Sequence, residues 1–209
     1  MLNERLRILE VSAVVPADIE DPEQWSTAFA SNWDERVIEQ TGISSVRKGK
    51  LTTLELGLAA CRDLDWVGDD SGNAVPDAII SVSQTPERLV PGNASGIAST
   101  MGWTKGTYRA APLCWDLQMG CAGMVWGLYQ AAMLLQQDSI NEVLLVCSET
   151  HSRLVNPSDR ATRLLFGDGA TAMRLTKQAK AGQEGTWTFE LGMQPEGAGQ
   201  LCTKPDGFL

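Results

Sequence analysis

Trp115-Asp116-Leu117-Gln118-Met119-Gly120-Cys121-Ala122-Gly123-Met124, continued in helix-forming residues as far as Gln137, is the stretch that decides how this chain is read. A short apolar segment, Ala111 to Leu117, stops at Met119-Gly120, and the run Ala122 to Gln137 is predicted to be helical. Cys121 therefore falls in a strand-to-helix turn. Backbone N–H groups in a first helical turn lack intrahelical partners and carry partial positive charge, so a thiolate placed there is favoured and becomes a better nucleophile at neutral pH. Gly120, Ala122 and Gly123 are small enough for backbone and substrate to approach closely. Position alone leaves a second reading open, in which Cys121 is a small, inert, buried residue.

Working outward, Asp77 to Ser83 and Glu142 to Ser148 are apolar runs without polar alternation, as expected of strands covered on both faces. Arg5 to Val15 reads as a first strand ending at Pro16. Thr52 and Thr53 can cap a helix from Leu54 to Asp65, with Glu55 in the capping-box position, and Asn93 to Met101 forms a small-residue helix after the loop Gln84 to Pro91. Between Asp18 and Trp33, Trp25, Phe29 and Trp33 recur four apart, as on the core-facing side of a helix. Thr41-Gly42-Ile43 marks a turn before the basic group Arg47, Lys48 and Lys50. Beyond Ser148, a strand is expected to start at Thr162 to Phe166, followed by a turn at Gly167-Asp168-Gly169 in which Asp168 satisfies buried N–H groups, and then by the apolar run Ala170 to Leu175. Thr186 to Met193 reads as one more strand. Short strands alternating with helices imply βαβ crossovers and a mixed, mainly parallel sheet covered by helices, an α/β fold. Residues 1–176 are taken as the body of the domain and 177–209 as the start of a connection.

Composition narrows the function. The 209 residues are 43% hydrophobic and 21% charged, as in ordinary globular proteins. A formal net charge of −9 disfavours non-specific nucleic-acid binding, which depends on clustered Lys and Arg. No stretch approaches the ~20 uninterrupted apolar residues of a membrane helix, and Met1 to Arg5 do not lead into a signal-peptide core, so a soluble, cytoplasmic protein without a membrane partner is expected. Five cysteines with no CxxC pair argue against a disulfide framework and a zinc site. His151 is the single histidine, read as a loop residue, and no Cys–His–Asp hydrolase arrangement can be built around it.

With Glu39-Gln40-Thr41-Gly42-Ile43, Val90-Pro91, Met119-Gly120-Cys121-Ala122-Gly123, Asn156-Pro157-Ser158-Asp159-Arg160 and Phe166-Gly167-Asp168-Gly169-Ala170 in this order, the chain resembles the N-terminal half of a β-ketoacyl-acyl carrier protein synthase III, a thiolase-fold condensing enzyme. The resemblance implies the N-terminal half of an αβαβα architecture and a homodimer joined at a sheet edge. It also implies that Cys121 accepts an acyl group from a thioester and passes it to malonyl-carrier protein, or to an oxygen or nitrogen acceptor in relatives, in fatty-acid or polyketide-like biosynthesis. No resident cofactor is implied; a coenzyme A or carrier-protein thioester is the substrate. The family's catalytic His and Asn lie in its C-terminal half and are expected beyond Leu209, so the partner implied is that half, possibly as a separate chain.

Other positions carry over one by one. Arg36 stands where the family has a tryptophan that stacks on the coenzyme A adenine, which favours a carrier-protein donor. Arg160 matches an arginine beside the coenzyme's phosphates, and an ion pair with Asp159 or Glu149 is the alternative for it. Val90 occupies the place of a larger residue that reaches into the partner's acyl pocket, leaving room for a longer acyl group. Arg47, Lys48 and Lys50 either meet an acidic carrier protein or form a solvated face. The competing function is non-catalytic, a truncated paralogue acting as scaffold or dimer partner of an active synthase.

Overall fold

The computed structural model describes residues 2–3, 6–21, 24, 35–65, 75–103, 111–159, 162–177, 186–197, 199 and 202, with the backbone alone for residues 2, 3 and 35–37. In chain order the elements are β1 (Leu2–Asn3), β2 (Arg7–Val14), β3 (Ile19–Glu20), α1 (Glu35–Thr41), β4 (Val46–Arg47), α2 (Thr53–Asp63), β5 (Ala78–Val82), α3 (Asn93–Thr100), β6 (Leu113–Leu117), α4 (Gly123–Leu134), β7 (Glu142–Thr150), β8 (Asp168–Thr176) and β9 (Trp187–Thr188). They form two compact units, one of Met1–Val14, Thr52–Glu149 and Ala170–Leu191, the other of Val15–Leu51, Thr150–Gly169 and Gly192–Leu209. Among the described residues no helix is long and apolar enough to cross a membrane. The aromatic series Trp25, Phe29 and Trp33 lies outside the described residues, as does most of the expected connection from 177 onward.

The first unit is built on a five-stranded sheet of order β2-β8-β7-β5-β6. β5 runs parallel to both β6 and β7, while β2 is antiparallel to β8, so the mixed, mainly parallel sheet read from the sequence is present. Apolar layers cover both faces. Ala78, Ile80, Val82, Val143 and Leu145 face α4 together with Leu128, Ala131 and Leu135. Ile79, Leu144 and Val146 face α2 and α3 together with Leu56, Ala60 and Ile97. Successive strand residues point to opposite faces, so burying both removes any place for polar alternation. Each fully buried Leu or Ile contributes about 1.5–3 kcal/mol of transfer free energy. α2 opens with a capping box: Thr52 Oγ1 accepts the Glu55 N–H at 3.2 Å and Glu55 Oε2 accepts the Thr52 N–H at 2.8 Å.

In the second unit Asp168 is buried. It accepts hydrogen bonds from the Gly49 N–H at 3.2 Å, the Ser152 N–H at 3.0 Å and the Ser152 hydroxyl at 2.8 Å, the role expected of it. Three sequence expectations are corrected. Thr162 to Phe166 is a turn, not the start of a strand, because the Thr162 hydroxyl donates to Asp159 Oδ2 at 2.9 Å and the Arg163 and Leu165 N–H groups bond back to Asp159 and Thr162. These local bonds prevail over the β preference of the side chains. Asp168 and Gly169 are the first residues of β8 rather than a turn. Thr186 to Met193 contributes only the two residues of β9, whose partner β1 is equally short.

Candidate active site

β6 ends at Leu117, and a single 3-10 turn, Gly120–Ala122, connects it to α4. Gly120 makes that connection at φ +59°, a left-handed conformation that glycine adopts without steric cost. Cys121 is exposed in the middle of the turn and is not a buried core residue. The glycines beyond it serve packing. A β-carbon on Gly123 would run into Val82 Cγ1, and one on Gly127 would stand 2.6 Å from Leu145 Cδ1. α4 therefore lies directly on β5 and β7, and its first turn, with the cysteine ahead of it, is fixed against the sheet.

The remaining cysteines separate by environment. Burial pushes the Cys61 thiol up to about 12 and the Cys147 thiol up to about 11. Burial, followed by the neighbouring Asp116 charge, also raises Cys114, although a hydrogen bond with Ser95 works the other way. The pKa of all three thiols is raised, which disfavours the nucleophilic thiolate; Cys61 is also buried and Cys147 half-buried, whereas Cys114 is exposed. Cys202 is exposed in the second unit, on no helix or strand.

The segment Ser83 to Gly92, between β5 and α3, is held at both ends by acids, Glu149, read from the sequence only as a partner for Arg160, and Asp116, which was given no role. At its start, Glu149 near the end of β7 accepts the Gln84 N–H at 2.8 Å, the Thr85 N–H at 3.2 Å, the Thr85 hydroxyl at 2.7 Å and the Ser83 hydroxyl at 3.4 Å. At its end, Asp116 on β6 accepts the Ala94 N–H at 3.1 Å and caps α3, whose N-cap Gly92 has no side chain to do so. A β-carbon on Gly92 would collide with that carboxylate. Buried Asn93 accepts the Glu87 N–H at 3.2 Å. Between these anchors Leu89 and Val90 project, 86% and 85% exposed. A cavity of about 160 Å³ lies under the segment, lined by Ser81, Ser83, Arg88, Asp116 and Gln118 among others. Asp116 stood inside the stretch that decided the sequence reading, and a lone acid in an apolar strand was the signal available there.

Elsewhere the expected residues fare differently. Arg160 lies outside the described residues, and Arg36 is on α1 with its backbone alone described. Asp159, named as an alternative partner of Arg160, accepts the Thr162 hydroxyl, and Glu149 accepts from the loop. His151 stacks on Phe166, with ring centroids 5.3 Å apart, in the structural role expected. Within the basic group Arg47 and Lys50 are exposed, whereas Lys48 is half-buried and paired. Arg47 donates to the Ala17 carbonyl at 3.0 Å, and Lys48 pairs with Glu20 at 2.9 Å and donates to the Arg163 carbonyl at 3.1 Å. Arg163 also pairs with Glu20, at 3.2 Å. Burial alone would raise the Glu20 carboxyl, but hydrogen bonds from Lys48 and Arg163 and the charges of both outweigh it and hold it below its ordinary value of 4.5. Glu20 thus adds stability above pH 4.5 that is lost as the pH falls through its lower folded value. Glu20→Gln is expected to flatten the acid limb of a urea-midpoint-against-pH profile below pH 4.5 and to cost about 1 kcal/mol or less at pH 7, because the pairs are partly exposed. An unchanged acid limb would contradict this.

A sheet covered on both faces, with an exposed cysteine at the turn from an edge strand into a sheet-facing helix, defines the class: half of a thiolase-like fold. Comparison with known proteins agrees and narrows it. Residues 115–195 match the family model of 3-oxoacyl-[acyl-carrier-protein (ACP)] synthase III. The β-ketoacyl-[acyl-carrier-protein] synthase III of Vesicomyosocius okutanii is 32% identical over 178 residues, covering 84% of this chain and 54% of the relative. The crystal structure of β-ketoacyl-[acyl carrier protein] synthase III from Thermus thermophilus superposes with a TM-score of 0.80 at 29% identity, over 96% of this chain and 61% of that one. The priming β-ketosynthase of the R1128 polyketide pathway gives a TM-score of 0.70 at 26% identity, over 83% of this chain and 50% of that one. The chain is thus similar to 3-oxoacyl-acyl carrier protein synthase III, and it spans about half the length of the curated relatives it matches.

Proposed function

We propose that this chain carries the nucleophile of a cytoplasmic acyltransferase of the 3-oxoacyl-acyl carrier protein synthase III type. The Cys121 thiolate attacks the carbonyl of an acyl thioester, the tetrahedral intermediate expels the donor thiolate, and the acyl group remains on the Cys121 sulfur. The departing thiolate takes up a proton. The acceptor, malonyl-carrier protein or another nucleophile in fatty-acid or polyketide-like synthesis, then removes the acyl group and regenerates the free cysteine. The Cys121 N–H, ahead of α4, is read as one donor to the oxyanion of the intermediate. The donor is a carrier-protein or coenzyme A thioester, with Arg36 and Arg160 as its candidate contacts, and no resident cofactor is needed. What carries this reading is the exposure of Cys121 in the turn that opens into α4.

The second half of the enzyme, in the same or another chain, is assigned the His and Asn that decarboxylation needs. Exposed apolar side chains support a covering partner: Met124, Val125 and Met133 on α4, and Val11 on β2. Val11 lies opposite Met173, which belongs to the core layer on the α4 face, so Val11 points to that same face. A homodimer through the β6 edge is part of the same proposal.

The test is intact mass spectrometry after incubation with octanoyl-carrier protein or octanoyl-coenzyme A. One octanoyl group located on the Cys121 peptide supports the reading, and no acylation from either donor, with or without a family C-terminal half, leaves the scaffold role. Val90→Phe is expected to shift competition between acetyl and decanoyl thioesters at least about fivefold toward acetyl. An unchanged ratio would remove Val90 from chain-length selection.

A further inference from the structure

Glu149 sits near the C-terminal end of β7, and its carboxylate spends its acceptor capacity on the first residues of the segment after β5, two backbone N–H groups and two hydroxyls. Thr85, one of the residues so held, is also 3.2 Å from the hydroxyl of buried Thr53 at the start of α2, so the clamp is itself backed by a core element. Gln84 lies between. Its backbone is fixed by Glu149, and its side-chain Nε2 stands 3.4 Å from where a β-carbon on Gly120 would be. Gly120 is the left-handed residue that turns the chain into Cys121. A carboxylate on β7 thus fixes the backbone of the residue whose side chain lies against the open side of Gly120, and the charge-assisted bonds that do so are the stronger class of hydrogen bond.

We propose that Glu149 is a positioning residue for Cys121, fixing Gln84 over Gly120 and so holding the cysteine turn in the geometry that acyl transfer requires. This rests on Cys121 being the acyl-accepting nucleophile. Glu149 touches neither the sulfur nor an acyl donor; it acts through Gln84. In Glu149→Gln the amide cannot accept from all four donors that the carboxylate serves. Gln84→Ala removes the link itself while leaving the Glu149 bonds to backbone in place.

Both variants are compared with the unaltered chain in two reactions read peptide by peptide by mass: acylation by an octanoyl N-acetylcysteamine thioester and alkylation by iodoacetamide. Exposed Cys202 serves as the internal reference, and buried Cys61 reports loss of fold. The expected result is acylation of Cys121 slowed at least about tenfold in each variant, with Cys202 alkylation unchanged and Cys61 protected. Cys121 acylation within about twofold of the unaltered chain in Gln84→Ala, with Cys61 protected, overturns the proposal. If Glu149→Gln exposes Cys61, Gln84→Ala alone decides. If the unaltered chain takes no acyl group, the nucleophile reading has failed independently, and positioning is judged by the Cys121-to-Cys202 alkylation ratio: a change beyond about threefold in Gln84→Ala upholds it and a smaller one overturns it.

Discussion

Cys121→Ser is expected to abolish the acyl-enzyme: no mass gain on the chain, and transfer activity of the assembled enzyme lowered by at least about 10³-fold. The effect is large because every later step uses the covalent species, and a serine hydroxyl in the same turn is far less ionised than a thiol at neutral pH. The environments of the other cysteines make the result easy to interpret. Cys61 is buried and Cys147 half-buried, so an acyl group on either in Cys121→Ser would point to unfolding, while exposed Cys114 and Cys202 are told apart from Cys121 by peptide mapping. Cys121→Ala should behave as the serine variant does. A variant that still acquires an acyl group on a cysteine peptide and still turns over would place the nucleophile elsewhere.

Gly123→Ala is expected to carry a large stability cost. The new β-carbon would fall on Val82 Cγ1, and Val82 is buried on a central strand with its χ1 restricted by β-branching, so it cannot simply swing aside. Overpacking of this kind costs about 1–3 kcal/mol, read as a lower urea midpoint at unchanged slope. Val82→Ala in the same chain should recover part of the loss, giving a favourable coupling in the double-mutant cycle. Additive losses would show that α4 does not rest on β5 as described. Raising α4 also displaces the turn ahead of it, so Cys121 acylation should fall in Gly123→Ala and recover with Val82→Ala.

Much of the fold could be read from local signals because the forces that set it are local or periodic. The Thr52 capping box joins residues three apart, and unbroken apolar runs at Ala78–Val82 and Val143–Val146 follow from burial on two faces. The position of Cys121 follows from where a strand stops and a helix starts. What escaped detection depends on partners distant in sequence. Glu149 reaches Gln84 and Thr85 from the next strand, and Asp116 reaches across to Ala94. Lys48 looked like part of a free basic group until Glu20 and the Arg163 carbonyl took it up. Thr162 to Phe166 has strand-like side chains, yet one hydroxyl and two backbone bonds fold it into a turn.

The cap that α3 borrows from β6 gives this corner of the sheet its own cooperativity. A helix capped by its own preceding residue can fray and re-form alone, whereas α3 keeps its acceptor only while the outermost strand stays paired to β5. Peeling β6 away therefore strips the sheet of an edge and the helix of its anion in one event, and slackens the far anchor of the arm bearing Leu89 and Val90. Pairing of the edge strand, capping of the helix and anchoring of the arm are thereby coupled to one another.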